Sequence, residues 1–181
     1  MGLEVPIIIG IVLIILFISI FWPGIVGAPW VPTSMGMVHK MLKLADVGPD
    51  DVVYDLGCGD GRTIVTAARH YGARAVGIEI DPLRYLWCQI LITVLRLRSH
   101  IKILYGNFFY KDLSEATLVT CYLLQDTNDK LEKKLLKELH PGTKVVSNYF
   151  TFSGLQMVRE DGEARFYLVP STSEIPFTGL S

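Results

Sequence analysis

Val-Val-Tyr-Asp-Leu-Gly-Cys-Gly-Asp-Gly-Arg, residues 52–62, is the stretch that decides the fold. A run of β-branched and aromatic residues ends at Asp55, and three glycines at alternate positions lead into a helical pattern. Because glycine adopts positive φ and has no side chain to block a ligand, Gly57, Gly59 and Gly61 predict a ligand-binding turn between a strand and a helix. Free N–H groups at the helix start favour an anionic group on that ligand. A tight connection without a ligand is the alternative interpretation.

The glycine spacing and a second acidic residue narrow the choice of ligand. A dinucleotide-binding G-x-G-x-x-G would place its third glycine one residue after Gly61. The chain has G-x-G-x-G instead, preceded by Asp55, whose carboxylate can meet an amino group. A second strand pattern follows at residues 75–80 and contains Glu79, where acidic residues of doubly wound folds accept ribose hydroxyls. An amino acid joined to a ribose predicts S-adenosylmethionine as the cofactor.

These motifs also carry a resemblance to known enzymes. Asp55–Gly61 and Val76–Glu79 resemble the class I S-adenosylmethionine-dependent methyltransferases. Three flanking segments are similar to small archaeal protein-lysine methyltransferases and their mitochondrial membrane-anchored relatives. They are Trp30–Thr33, Gly106–Phe109 and Leu113–Thr117. The resemblance covers residues 29–169 and implies an α/β fold with a doubly wound, mostly parallel, Rossmann-like sheet.

The resemblance implies further cofactor contacts outside the glycine turn. Asn107 would take the adenine amino group and Phe108 would pack on the adenine ring, although by residue type Phe108 is more often a core residue. Thr33 would line the cofactor site or, alternatively, only cap a following helix. The predicted cofactor-binding residues are Asp55, Gly57, Gly59, Asp60, Gly61, Glu79, Asn107, Phe108 and Thr33. The sequence names no catalytic residue; Asp126 and Tyr149 are candidate bases by placement only.

Size and composition restrict the classes of partner. A chain of 181 residues suits one domain. Its formal net charge of -1 provides no long-range field for nucleic acid, which is therefore not expected as a partner. The three cysteines have neither the spacing of metal ligands nor that of a disulfide framework, so we expect no metal site and a reducing compartment.

An apolar stretch near the start of the chain predicts a membrane anchor. Residues 5–22 are almost all apolar, and no charged residue occurs between Glu4 and Lys40. A helix needs roughly 20 such residues to cross a bilayer. We therefore predict an N-terminal transmembrane helix within residues 1–28, a methyltransferase domain at 29–169 and a loose tail at 170–181. A cleaved signal peptide is the alternative, but the stretch lacks a basic start and is longer than a signal core.

Basic residues predict the orientation of this anchor. None precedes the apolar stretch, whereas Lys40 and Lys43 follow it. Because positive residues stay on the cytoplasmic side of a membrane, we expect a single-pass cell-membrane protein with a cytoplasmic catalytic domain.

A predicted helix at residues 83–98 is unusually apolar. From Tyr85 to Leu95 it is apolar on nearly all sides, whereas a helix covering one face of a sheet is normally polar on the other. We expect it to lie against the bilayer, the anchor helix or a second copy in a homo-oligomer. A deeply buried helix is the alternative.

The acceptor is the least determined part of the prediction. A fourth strand pattern, at residues 118–124, is followed by the polar residues Gln125–Asn128, which would position a nucleophile or simply form a loop and helix cap. The leading hypothesis is a membrane-anchored methyltransferase that N-methylates lysine side chains of proteins. A methyltransferase acting on a lipid, quinone or other small amphiphile is one alternative, and a silent cofactor-binding subunit is another.

Overall fold

The computed structural model describes residues 4–11, 13–14 and 31–171. Residues 4–11 and 13–14 are helical, and their aliphatic side chains are exposed. Among the described residues, no helix is both long and apolar enough to cross a membrane. Most of the predicted anchor, residues 1–28, and most of the tail, residues 170–181, lie outside the described residues. The anchor and the domain boundaries therefore stay predictions.

Within residues 31–171, seven strands form one sheet in the order β3-β2-β1-β4-β5-β7-β6. The strands are β1 (Val52–Leu56), β2 (Arg74–Glu79), β3 (Ile101–Tyr105), β4 (Leu118–Cys121), β5 (Lys144–Asn148), β6 (Gln156–Asp161) and β7 (Ala164–Leu168). The first five run parallel, and β7 lies antiparallel between β5 and β6. The predicted doubly wound, mostly parallel sheet is confirmed. The strand order reverses between β1 and β4, where such folds bind their ligands.

Helices cover both faces of the sheet. They are α1 (Met35–Leu44), α2 (Arg62–Tyr71), α3 (Pro82–Val94) and α4 (Gln125–Glu138), with a short 3-10 helix at Phe108–Tyr110. Successive strand residues point to opposite faces. Val53 accordingly packs into a core with α1, α2 and α3, whereas its neighbour Tyr54 packs into a second core with Leu131 and Leu135 of α4.

Three elements differ from the sequence prediction. The predicted helix at 83–98 ends at Val94, because Leu95 caps it and Arg96 takes a positive φ of 56°. The sequence does not predict strand β6, because it has no apolar alternation there, and all the residues of the strand are exposed. Gln125–Asn128 form the first turn of α4 and are not a loop. The helix starts early because Thr127 and Asn128 are buried with its apolar face.

Helix α3 is not deeply buried. Only Cys88 and Ile92 are buried, while Leu86, Trp87 and Ile90 are more than half exposed. The alternative of a fully buried helix is therefore wrong, and one apolar side of α3 faces outward.

Candidate cofactor site

A cleft opens at the carboxyl ends of β1, β2 and β4, at the point where the strand order reverses. It holds about 940 Å³ of empty space, part of it open to solvent. All of the predicted cofactor-binding residues except Gly61 line it. The fold therefore brings together side chains and glycines that are up to 75 residues apart, from Thr33 to Phe108.

The glycine turn has the backbone that its sequence predicts. Gly57, Gly59 and Gly61 have φ angles of 79°, 58° and 83°, a region that favours glycine. Its amide groups, however, are already bonded within the protein. Gly57 and Cys58 both donate to the carbonyl of Ile78, at 2.9 and 3.0 Å, and Gly61 donates to the carbonyl of Cys58 at 2.8 Å. These three amides are therefore not free for an anion, because β2 accepts the first two hydrogen bonds and the turn itself accepts the third.

A glycine in β2 allows this close approach. A Cβ atom added to Gly77 would lie 2.7 Å from the Cys58 sulfur and 2.9 Å from the end of the Ile64 side chain. Only a residue without a side chain fits there unless its neighbours move. Gly77 thus lets the glycine turn lie directly on β2.

Asp55 places a buried carboxylate at the floor of the cleft. Its Oδ1 accepts a hydrogen bond from the Thr120 hydroxyl at 2.8 Å. It forms no ion pair with any described residue. Burial raises the pKa of Asp55 from its ordinary value of 3.8 to about 6. A buried carboxylate that lacks a counter-charge fits the α-ammonium group of S-adenosylmethionine.

Glu79 is held rigidly beside the same turn. Its Oε2 accepts from the Gly59 amide and its Oε1 from the Asp81 amide, both at 2.8 Å. Burial raises the pKa of Glu79 above its ordinary value despite these two bonds. A carboxylate has about four lone-pair positions, so two remain for the hydroxyls of a ribose.

Arg62 is a cleft residue that the sequence prediction missed. It donates from Nε to Asp60 at 2.8 Å and from Nη1 to the Thr33 carbonyl at 2.6 Å. Burial alone would raise the pKa of Asp60, but the hydrogen bonds and charge of Arg62 hold it below its ordinary value. The available signal was an arginine directly after the third glycine. Arg62 joins the glycine turn to the segment before α1.

Thr33 does not cap α1, so the alternative role considered for it is wrong. Ser34 is the cap residue, and its hydroxyl accepts from the Met37 amide at 3.2 Å. Thr33 lines the cleft together with Val31 and Pro32, as the resemblance implies.

Asn107 and Phe108 line the cleft from the segment that follows β3. The Asn107 Oδ1 accepts from the Phe109 amide at 2.9 Å and so caps the short 3-10 helix. The Phe108 ring is half-buried and lies 4.8 Å from the Phe109 ring, centroid to centroid. Both residues thus have a structural role as well as a surface in the cleft.

The end of β4 forms the remaining wall, through Cys121, Tyr122 and Leu123. The two candidate bases are not part of it. Asp126 is exposed on α4, and Tyr149, which is exposed and has a φ of 70°, follows β5. Neither side chain lines the cleft.

Comparisons with known proteins find methyltransferases, as expected for a cleft that fits S-adenosylmethionine. Residues 55–159 match the family model of the ANTKMT methyltransferase domain. The chain is 48% identical over 127 residues to a protein-lysine N-methyltransferase of Saccharolobus islandicus (strain REY15A), covering 70% of this chain and 79% of that relative. It is 36% identical over 143 residues to the adenine nucleotide translocase lysine N-methyltransferase of Mus musculus, covering 75% of this chain and 58% of that one. The chain thus spans little more than half of the mouse relative.

A solved structure shows the same fold with a cofactor product bound. It is described as an RNA methyltransferase from Salinibacter ruber in complex with S-adenosyl-L-homocysteine. The TM-score is 0.72 at 42% sequence identity, and the match covers 81% of this chain and 97% of the other. The family match, the relatives and the cleft together lead to one conclusion: this chain belongs to the ANTKMT methyltransferase domain family and is an S-adenosylmethionine-dependent methyltransferase.

Proposed function

We propose that this protein is a lysine N-methyltransferase that acts on other proteins. The observation that carries the proposal is the 48% identity to an archaeal protein-lysine N-methyltransferase across 79% of that relative's length. The more distant mouse relative, which is named for the lysine methylation of a translocase, supports the same type of acceptor.

Nine residues are proposed to bind the cofactor, and the cleft geometry supports a division of roles. Asp55 would meet the α-ammonium group, and Glu79 would accept the ribose hydroxyls with its two remaining lone-pair positions. Asn107 and Phe108 would hold the adenine. Gly57, Gly59, Asp60 and Thr33 line the cleft and would surround the amino-acid end. Gly61 does not line the cleft and would contribute by shaping the turn.

For methyl transfer, the protein mainly has to position the cofactor and the acceptor. Bound S-adenosylmethionine supplies a methyl group that its sulfonium has already activated. The residues of the cleft hold the acceptor in line and exclude water. A lysine must first lose a proton, and lowering its pKa from about 10.4 to neutrality corresponds to about 4 to 5 kcal/mol. The buried side chains of Cys121 and Leu123 would supply part of this by desolvating the ammonium group.

We also propose that the protein is a single-pass membrane protein with its cleft on the cytoplasmic side. The proposal rests on the apolar residues 5–22 and on the lysines that follow them. The exposed aliphatic side chains of the helical residues 4–11 and 13–14 support it. An anchor would bring membrane proteins within reach of the cleft.

A labelling experiment tests the acceptor. Detergent-purified protein is incubated with methyl-labelled S-adenosylmethionine, native membranes and total RNA, and protein, lipid and RNA are then separated. We expect the label in protein, and in methylated lysine after acid hydrolysis. Asp55→Asn, assayed at a low concentration of labelled cofactor, is the impaired control, and Asp50→Asn, which alters an exposed carboxylate outside the cleft, is the matched active control.

Label in another fraction would overturn the proposal and identify a different class of acceptor. Label in the organic phase would identify a lipid or quinone acceptor, which the apolar side of α3 would favour. Label in RNA would agree instead with the description of the Salinibacter ruber protein. Cofactor binding without transfer to any of the three fractions would indicate a silent cofactor-binding subunit.

A further inference from the structure

An apolar stripe runs along the outer side of α3. Leu83, Leu86, Trp87, Ile90 and Val94 are exposed by 37%, 54%, 54%, 51% and 73%. Their spacing of three and four residues places them on one face of the helix. Five large exposed side chains on a 13-residue helix are more than scattered surface apolar residues, and a contiguous patch of this kind marks an interaction surface.

Basic residues follow directly after this apolar stripe. Arg96 and Arg98 are exposed, and neither forms an ion pair within the described part of the chain. Exposed leucine, isoleucine and tryptophan beside exposed arginines are typical of helices that lie in the interface of an anionic bilayer, with the aromatic ring at headgroup level.

The apolar stripe begins at the rim of the cofactor cleft. Arg84, the next residue after Leu83, lines the cleft, as does Ile80 just before the helix. On the same side, Tyr85 packs on Tyr105 with 5.3 Å between ring centroids, and Tyr105 is half exposed. The exposed apolar surface and the cleft opening are therefore neighbours.

In the sequence, a short segment connects the cleft to the predicted anchor. Val31 lines the cleft and lies nine residues after Trp22, where the apolar stretch ends. Nine extended residues reach about 30 Å at most. If residues 5–22 span a bilayer, Val31 at the cleft must lie within that distance of its surface.

We propose that the apolar stripe of α3 lies on the cytoplasmic surface of an anionic bilayer and turns the cleft toward the headgroups. The inference rests on the proposed membrane anchor and narrows the proposed acceptor. Acceptor lysines would be those that membrane proteins carry close to the headgroup level. A lysine far from the membrane would not reach the methyl group of the cofactor.

Lipid quenching of site-specific fluorophores tests this contact in the full chain. A maleimide fluorophore is attached to Ile90→Cys or, as the matched control, to His140→Cys, an exposed position after α4 on the other face of the sheet. The native Cys58, Cys88 and Cys121 are buried and react poorly. Each protein is reconstituted into phosphatidylcholine vesicles with one-fifth phosphatidylglycerol, with or without acyl-brominated lipid.

We expect brominated lipid to quench the fluorophore at position 90 at least twofold more than the fluorophore at position 140. Equal quenching at both positions would overturn the contact. Shielding of position 90 from aqueous iodide without lipid quenching, together with cross-linking between two copies, would assign the apolar stripe to a homo-oligomer and also overturn it. Leu86→Cys provides a second labelling position if Ile90→Cys folds poorly.

The readout separates this inference from the proposed function. Quenching requires no methyl transfer, so a failed lysine assay leaves it unaffected. Flotation of the same vesicles tests the anchor, because a protein that does not float lacks both contacts. A protein that floats with both fluorophores unquenched retains its anchor and lacks only the α3 contact.

Discussion

The buried carboxylate of Asp55 suits the ammonium group of the cofactor, but its negative charge destabilises the fold. Its pKa is raised from 3.8 to about 6, so the folded state holds the proton more tightly than the unfolded state. The resulting stability is fully present below about pH 4 and is lost as the pH rises through 6. A shift of this size corresponds to about 3 kcal/mol. Above pH 6 the fold therefore tolerates an unfavourable buried charge that an incoming ammonium group would compensate.

We predict that Asp55→Asn stabilises the fold at pH 8 by up to about 3 kcal/mol, because it removes that charge without changing the shape of the side chain. The same change should weaken S-adenosylmethionine binding by about 10- to 100-fold, since a hydrogen bond to a charged group is lost. Urea unfolding at pH 4 and pH 8 and calorimetry at pH 8 measure the two effects. Equal stabilisation at both pH values would contradict the assignment of the charge to Asp55.

Glu79 differs from Asp55, because its carboxylate supports the fold as well as the cleft. Glu79→Ala would leave the buried amides of Gly59 and Asp81 without acceptors, and each such loss costs about 1 to 3 kcal/mol. We expect Glu79→Ala to lower the free energy of unfolding by about 2 to 5 kcal/mol and Glu79→Gln, which keeps one acceptor oxygen, by less. Denaturant unfolding measures the free energy of unfolding of both variants. An alanine variant as stable as the glutamine variant would disprove the role of these two bonds.

At the scale of elements, the contact between β2 and the glycine turn sets the shape of the cleft. Gly77 and Cys58 meet where any added Cβ atom would overlap the sulfur. The hydrogen bonds from Gly57 and Cys58 to Ile78 hold the turn in the same place. A small displacement of β2 would therefore move the turn and the cofactor-facing residues together.

We predict that Gly77→Ala lowers the free energy of unfolding by about 1 to 3 kcal/mol, the usual cost of overpacking a core, and weakens cofactor binding. Adding Cys58→Ala removes the sulfur that the new methyl group would meet, so the double variant should recover part of both losses. A double-mutant cycle on unfolding and on cofactor affinity measures this coupling. Additive effects of the two substitutions would rule out a direct contact.

Arg62 couples a second pair of elements, since it joins the glycine turn to the segment that leads into α1. We expect Arg62→Ala to weaken cofactor binding by about tenfold, because the loss of one charged hydrogen bond is worth about 1.5 kcal/mol. Arg69→Ala, which changes an exposed arginine at the end of the same helix, is the matched control and should leave binding unchanged. Calorimetric titration with S-adenosylmethionine compares the two variants. Equal affinities would show that the Thr33 segment is held by other contacts.

At the scale of the whole molecule, both hydrophobic cores consist of residues between Val38 and Val169. We therefore expect a chain without residues 1–28 to fold and to bind S-adenosylmethionine within about twofold of the full chain. Without its proposed anchor it should leave neutral vesicles and keep weak affinity for anionic vesicles through the apolar stripe of α3. Flotation with each vesicle type checks this. Unchanged flotation on neutral vesicles would show that residues 1–28 are not the principal anchor.

The identity of the cofactor and the positions of several strands could be predicted from local sequence. Asp55, the three glycines and Glu79 could be recognised because a strand end, a positive-φ turn and the next strand end have short, regular spacing along the chain. The strand and helix patterns around them reflect which residues are buried on each face. These signals depend on neighbours in sequence, and the family resemblance that they carry implied the mostly parallel fold.

Only the tertiary structure decided the remaining features, because each depends on residues far apart in the chain. The turn amides bond to Ile78, Arg62 reaches Thr33, and burial by surrounding elements raises the pKa of Asp55. Strand β6 exists through its pairing with β7, since its own residues carry no burial pattern. The same reason applies to α3. Its sequence is apolar nearly all round, and only packing against the sheet selects Cys88 and Ile92 for the core and leaves Trp87 facing outward.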